Sequence, residues 1–150
     1  MSYAGLLSML YADLEKDDPR VAAVTDWLNS NFTVKENPGL GQQGLYYYFN
    51  VMAKALTAAN IDTLTTEDGK KIDWRKELSQ TILSAQREDG SWFNKNSRWW
   101  ENQPELVTCY AVLTPRSVAR MSRCFVLFFF WLGRHFRSTR HPRHLSLIPI

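Results

Sequence analysis

Few side chains in this 150-residue sequence combine the type and spacing that chemistry demands. Gly39-Leu40-Gly41-Gln42-Gln43-Gly44 spells G-x-G-x-x-G, the form that lets backbone N–H groups close on a pyrophosphate when it follows a strand. Here a helical pattern and Asn37-Pro38 precede it, so the segment is a glycine-loosened loop between helices. Cys109 and Cys124 make neither a disulfide framework nor a C-x-x-C metal pair, and His135, His141 and His144 lack matching ligands. No metal and no cofactor is expected. The run Tyr46-Tyr47-Tyr48-Phe49 fills nearly a whole helical turn, so some of its rings must face away from the packing stripe, and Trp99-Trp100 does the same in a loop. Aromatic packing between helices and under the loop explains such rings; π-faces offered to an apolar or cationic ligand are the functional alternative. Lys54, on the same helix, fits a solvated or ion-paired residue better than a catalytic amine.

The elements that position these groups are helices. Asp18-Pro19 starts one, because Asp accepts the free N–H groups of the first turn and Pro has no N–H to leave unpaired. The helix runs to about Asn31, with Val21, Val24 and Leu28 on one face and Trp27 beside them. Asp73 opens a helix of the same design, its buried side marked by Trp74, Leu78, Ile82 and Ala85, with Glu77 completing the start. The two superimpose without a gap at a shift of 55. A second helix type recurs: Tyr3–Leu14 and Leu45–Leu56 superimpose at a shift of 42, with stripes Leu7-Leu10-Leu14 and Phe49-Met52-Leu56, and Pro104–Leu113 begins a third copy. Asp62–Lys71 is expected as an exposed polar loop, and no segment alternates like a strand. Such a period signals stacked helical hairpins, none of which can bury its apolar face alone.

Gln86-Arg87-Glu88-Asp89-Gly90-Ser91-Trp92 has the form Q-x-x-x-G-x-W, preceded by Ile82-Leu83 on a helix. It resembles the QW repeat of squalene and oxidosqualene cyclases, and the hairpin pattern of residues 1–114 is similar to the α/α toroid of terpene cyclases and protein prenyltransferases. That resemblance implies an all-α fold, an incomplete toroid of inner and outer helices followed by an irregular C-terminal tail. Gln86, Gly90 and Trp92 become a structural clamp: Gly90 permits the turn, Gln86 closes its helix end, and Trp92 offers a face for stacking. Tyr46, Tyr47, Tyr48, Phe49, Trp99 and Trp100 become candidate cavity-lining rings, and the implied partner is an isoprenoid ligand. A non-catalytic toroid used as a protein-binding scaffold is the alternative.

The sequence departs from the resembling enzymes where their chemistry sits. Terpene cyclases that protonate an alkene use the central acid of Asp-x-Asp-Asp; Glu15-Lys16-Asp17-Asp18 imitates it, but Asp18 is expected to cap a helix. The zinc ligands of protein prenyltransferases should fall on Gln43, Leu45 and Val107, and none of these is a strong zinc ligand. Catalysis by this chain as it stands is therefore not expected.

Charge divides the chain. Residues 1–114 carry 11 Lys+Arg against 15 Asp+Glu, a net −4, while residues 115–150 carry seven Arg, no acid and all three histidines, a net +7. Two regions follow: a partial toroid over 1–114 and an Arg-rich tail over 115–150, beginning where Leu113-Thr114-Pro115 interrupts a helix. Out-of-frame translation near residue 114 best explains the abrupt change. Phe125–Leu132 is apolar but far short of the roughly 20 residues that span a bilayer. Membrane contact through 125–132 is thus the weaker reading, and without a basic helix or known module no nucleic-acid partner is expected. The start, Met1-Ser2-Tyr3-Ala4, has no signal-peptide pattern, which makes a cytoplasmic setting the default and a peripheral membrane one the alternative. An open toroid end would expose apolar helix faces and favour self-association.

Overall fold

A computed structural model describes residues 2–15, 17–66 and 68–118. Helices dominate: α1 (Ser2–Tyr11), α2 (Pro19–Ser30), α3 (Leu45–Ala58), α4 (Trp74–Ser84) and α5 (Pro104–Val118), with a two-stranded antiparallel hairpin, β1 (Leu64–Thr65) and β2 (Lys71–Ile72), and a 3-10 turn at Arg98–Trp100. The expectations for residues 119–150, including Cys124, the apolar run 125–132, the three histidines and the out-of-frame reading, lie outside the described residues. Among the described residues no helix is long and apolar enough to cross a membrane.

Helix α3 is the centre of the packing. Tyr46, Tyr48, Phe49, Asn50, Val51, Met52, Ala53, Ala55 and Leu56 are buried, on more than one side of the helix. A helix apolar around most of its circumference needs neighbours around most of it. They are α1 and α5, which make the most extensive helix contacts in the structure, both with α3. The alternate helices α1, α3 and α5 are therefore neighbours in that order, while α2 packs on α1 and α4 on α5. The outer partners need only a narrow stripe: Val21 and Leu28 in α2, and Trp74, Leu78 and Ile82 in α4, are buried.

Both expected Asp starts form. The Asp18 carboxylate accepts from the Arg20 backbone N–H at 2.9 Å, and Asp73 from that of Lys76 at 3.1 Å. Asp18 is also paired with the Arg20 side chain, whose hydrogen bonds hold its carboxyl down at about 2.

Several boundaries and faces differ from the sequence expectation. Helix α1 stops at Tyr11, and Asp13 takes a positive φ of 57°, so Leu14 lies beyond the helix. The deepest residues of α1 are Tyr3 and Leu6, with Leu7 and Leu10 only partly buried, because α3 sits against the N-terminal half of that stripe. Ala85 is the exposed C-cap of α4 and not part of its buried side. The segment expected as an exposed loop contains β1 and β2, and Leu64 is fully buried there. Two residues per strand are too few to show alternation; Thr65 N–H donating to Asn29 Oδ1 at 3.1 Å fixes the hairpin to α2. Helix α5 continues through Pro115 to Val118. Pro115 lacks the N–H that would reach Ala111 O, but the buried Thr114 hydroxyl donates to Tyr110 O at 2.8 Å and accepts from Asn50 Nδ2 at 3.5 Å, tying this turn to α3.

Candidate functional site

Two asparagines organise the loops that lead into α3 and α5. Asn37 N–H donates to Gly41 O at 2.8 Å and Asn37 Nδ2 to Gln43 O at 2.9 Å, folding the glycine loop back on itself before α3. Gly39, Gly41 and Gly44 all have positive φ, which is why this loop carries glycine there. Asn94 N–H donates to Glu101 O at 3.1 Å, and its side chain donates to Gln42 O at 2.8 Å and to Glu101 Oε2 at 2.7 Å. Both asparagines are buried.

Glu101 is a fully buried carboxylate at the start of α3. Its Oε1 accepts from the Tyr47 backbone N–H at 2.8 Å, in the first turn of α3, where free N–H groups and the helix dipole favour negative charge. Gly44, the N-cap, has no side chain to do this, so the cap comes from the distant loop. The same anchor holds Trp99 and Trp100 in left-handed backbone, φ 62° and 59°, a conformation that costs a bulky residue about 1–3 kcal/mol. Trp99 passes over Gly44, whose absent Cβ would stand 3.4 Å from Trp99 Cδ1.

The expected aromatic residues separate into three environments. Tyr46 and Phe49 are buried and meet edge to face at 5.8 Å; burial, and secondarily the Glu101 charge, pushes the Tyr46 phenol up. Trp99 and Trp100 are exposed, 61% and 72%. Tyr47 and Tyr48 line a small, shallow cleft between the N-terminal parts of α1 and α3, with Tyr3, Ala4, Asn37 and Val51 completing it. Tyr48 is buried, donates its hydroxyl to Thr33 O at 2.9 Å, and meets the Tyr3 ring edge to face at 5.5 Å. Half-exposed Tyr47 rests its edge on Tyr110 at 6.0 Å. Among the lining residues the buried Asn37 Oδ1 has no hydrogen-bond partner, while the Tyr3 phenol faces the Tyr48 hydroxyl. Burial pushes the Tyr3 and Tyr48 phenols well above the ordinary tyrosine value, so both stay protonated and neutral.

The Q-x-x-x-G-x-W segment splits its work. Gln86 Nε2 donates to Gly90 O at 2.9 Å and Gly90 takes φ 81°, so Gln86 closes its own loop. Trp92 is buried and joins two helices: its indole N–H donates to Ile82 O of α4 at 2.7 Å, and its backbone N–H to Thr108 Oγ1 of α5 at 3.2 Å. Elsewhere, Lys54 is exposed, Cys109 is exposed with a free thiol, and Val107 is fully buried in the core. Among the described residues, no three His, Cys, Asp or Glu side chains converge as a metal site.

Tyr3, Asn37, Asn94 and Glu101 organise these junctions, and motif reading passes over them. Their one sequence signal is that two asparagines, 57 residues apart, each stand in the loop before a helix that packs on its neighbour. Comparison of the chain with protein-family models, curated proteins and solved structures finds no match.

Proposed function

We propose that residues 2–118 are a segment of an α/α toroid similar to those of squalene cyclases and protein prenyltransferases, and that it binds an isoprenoid without converting it. The observation that carries this reading is the packing of α1, α3 and α5 as successive neighbours, although α2 and α4 intervene in sequence. Alternation of this kind is what stacked helical hairpins produce, with one helix of each pair forming an inner row. Trp92, hydrogen-bonded to both α4 and α5, supports the clamp reading. The absence of conversion rests on the segment that imitates the cyclase motif: Asp17, at the place of its central acid, is exposed, and the following Asp18 is occupied as a helix cap and ion-paired to Arg20 at 2.8 Å. A proton donor for alkenes must be a protonated acid in a dry cavity, and an exposed carboxyl at a helix start does not stand in one.

The test is incubation of the purified chain with squalene and with prenyl diphosphates, followed by product analysis and a binding measurement. Binding with no new product is the expected result. A cyclised or transferred product would overturn the non-catalytic part; failure to bind any isoprenoid would overturn the ligand class. A scaffold that binds another protein is the second reading, favoured by Trp99 and Trp100, two exposed indoles held in constrained backbone.

A further inference from the structure

We propose that the loop carrying Trp99 and Trp100 is a lipid-docking element, which sets both indoles into the interfacial layer of a bilayer while Lys95 and Arg98 meet its anionic head groups. The proposal is independent of the isoprenoid reading above and of the apolar run at 125–132.

The chain from Trp92 to Glu101 sorts its residues by direction. Trp92, Asn94 and Glu101 are buried, while Phe93, Lys95, Ser97, Arg98, Trp99 and Trp100 are exposed. The buried set fixes the loop: Trp92 is bonded to α4 and α5, and Asn94 and Glu101 are bonded to each other and to the residues that lead into α3. Within the loop, Asn96 N–H donates to Asn94 Oδ1 and Arg98 N–H to Asn96 Oδ1, both at 2.9 Å, and Trp100 N–H donates to Ser97 O at 3.1 Å. The exposed side chains therefore stand on a framework that is already ordered, and docking them costs little further chain entropy. Both tryptophans also hold left-handed backbone although their rings are mostly exposed, so this strain brings them little internal packing.

Charge selects the occupant. Lys95 and Arg98 are the only charged residues from Gly90 to Trp100, Glu101 is fully buried, and the next exposed acids along the chain, Asp89 and Glu105, lie outside the loop. The Arg98 guanidinium stands 5.5 Å from the centre of the Trp99 ring, so a cation and an indole are held side by side. That pairing suits a bilayer interface, where tryptophan is enriched at the head-group level and basic side chains meet anionic lipid. A peptide would need a pocket for its anchor side chains, and the cleft beside the loop is lined as far as Tyr47 but by neither tryptophan. A nucleic-acid strand would need a row of cations along its backbone, and the loop has only Lys95 and Arg98.

Sedimentation of the full chain with vesicles of phosphatidylcholine, alone or mixed with phosphatidylserine, tests this. The chain should bind the mixed vesicles, and the double variant Trp99→Ala, Trp100→Ala should bind them at least about tenfold more weakly, with its circular dichroism unchanged. The double variant Lys95→Gln, Arg98→Gln should lose about tenfold to thirtyfold on the mixed vesicles and nothing on the neutral ones. All seven arginines of residues 115–150 remain in both variants, so the differences report the loop. Binding to mixed vesicles that is unmoved in either double variant overturns the proposal, as does no binding to vesicles at all. Self-association or single-strand binding that depends on the two tryptophans, in place of vesicle binding, overturns it as well. None of these outcomes decides the isoprenoid reading, which has its own test.

Discussion

The α1–α3 and α3–α5 junctions are built alike and finished differently. Each has an asparagine that closes the preceding loop through its backbone N–H and donates its side-chain amide to the backbone of residues 42–43. At α3–α5 the loop brings Glu101, which caps α3 and accepts from Asn94, while Asn94 Oδ1 accepts from Asn96 N–H at 2.9 Å. At α1–α3 Gly41 stands where Glu101 does, as the residue whose carbonyl accepts the asparagine N–H, and it brings no carboxylate. The result is a cleft with an unpaired amide oxygen, Asn37 Oδ1, in place of a plugged junction. The comparison teaches that one framework closes the junction where its polar atoms are all paired and leaves it open where they are not.

Four changes break or sharpen the contrast. The largest effect is expected from Glu101→Ala, which leaves the Tyr47 N–H and the Asn94 amide without their buried acceptor; chemical denaturation should show a loss of about 3 kcal/mol. A loss under about 1 kcal/mol would show that the plug does not hold the junction. Next, Asn94→Ala should cost about 2 kcal/mol, against about 1 kcal/mol or less for Asn37→Ala, since Asn94 makes two side-chain donations and Asn37 one. Equal costs would remove the distinction between the junctions.

Alkaline pH probes the α1–α3 junction through its tyrosines. The folded Tyr3 and Tyr48 values lie above the 10.0 of an unperturbed tyrosine, so the neutral phenols contribute stability that is fully present below pH 10 and is lost as pH rises toward the folded values. Stability should fall by up to about 1.4 kcal/mol per group for each pH unit above 10, and Tyr3→Phe should remove its share of that slope in a pH series of thermal melts. The smallest effect is that of Tyr3→Phe at neutral pH. Removing the Tyr3 hydroxyl, which faces the Tyr48 phenol, without changing the ring should lower stability by about 1 kcal/mol or less. A clearly larger loss in the melting curve would mean that this hydroxyl has a further partner in solution.

The sequence carried the local physics well. Asp18 and Asp73 are legible as helix starts because a cap is decided within a few residues, and Phe49, Met52 and Leu56 are legible as a buried stripe because helical periodicity is a local property. Gly90 is legible as a turn for the same reason. The faces of the aromatic run are not: four consecutive rings point around the helix, and only the positions of α1 and α5 decide that Tyr46, Tyr48 and Phe49 are buried while Tyr47 stays half exposed. Nor does Pro115 end α5, since a single lost N–H bond is outweighed when Thr114 and Asn50 tie that turn to α3.

By itself, then, the sequence determined an all-helical chain, its helix starts and its apolar stripes, all consequences of interactions spanning a few residues. Tertiary structure alone decided the site. Glu101 reaches Tyr47 across 54 residues and Asn94 reaches Gln42 across 52, while Tyr3 and Asn37 meet in one cleft only because α1 packs against α3. No local pattern marks a lone Glu, a lone Tyr or two Asn as special. Their chemistry comes from burial and from which hydrogen bonds the packed neighbours supply or withhold.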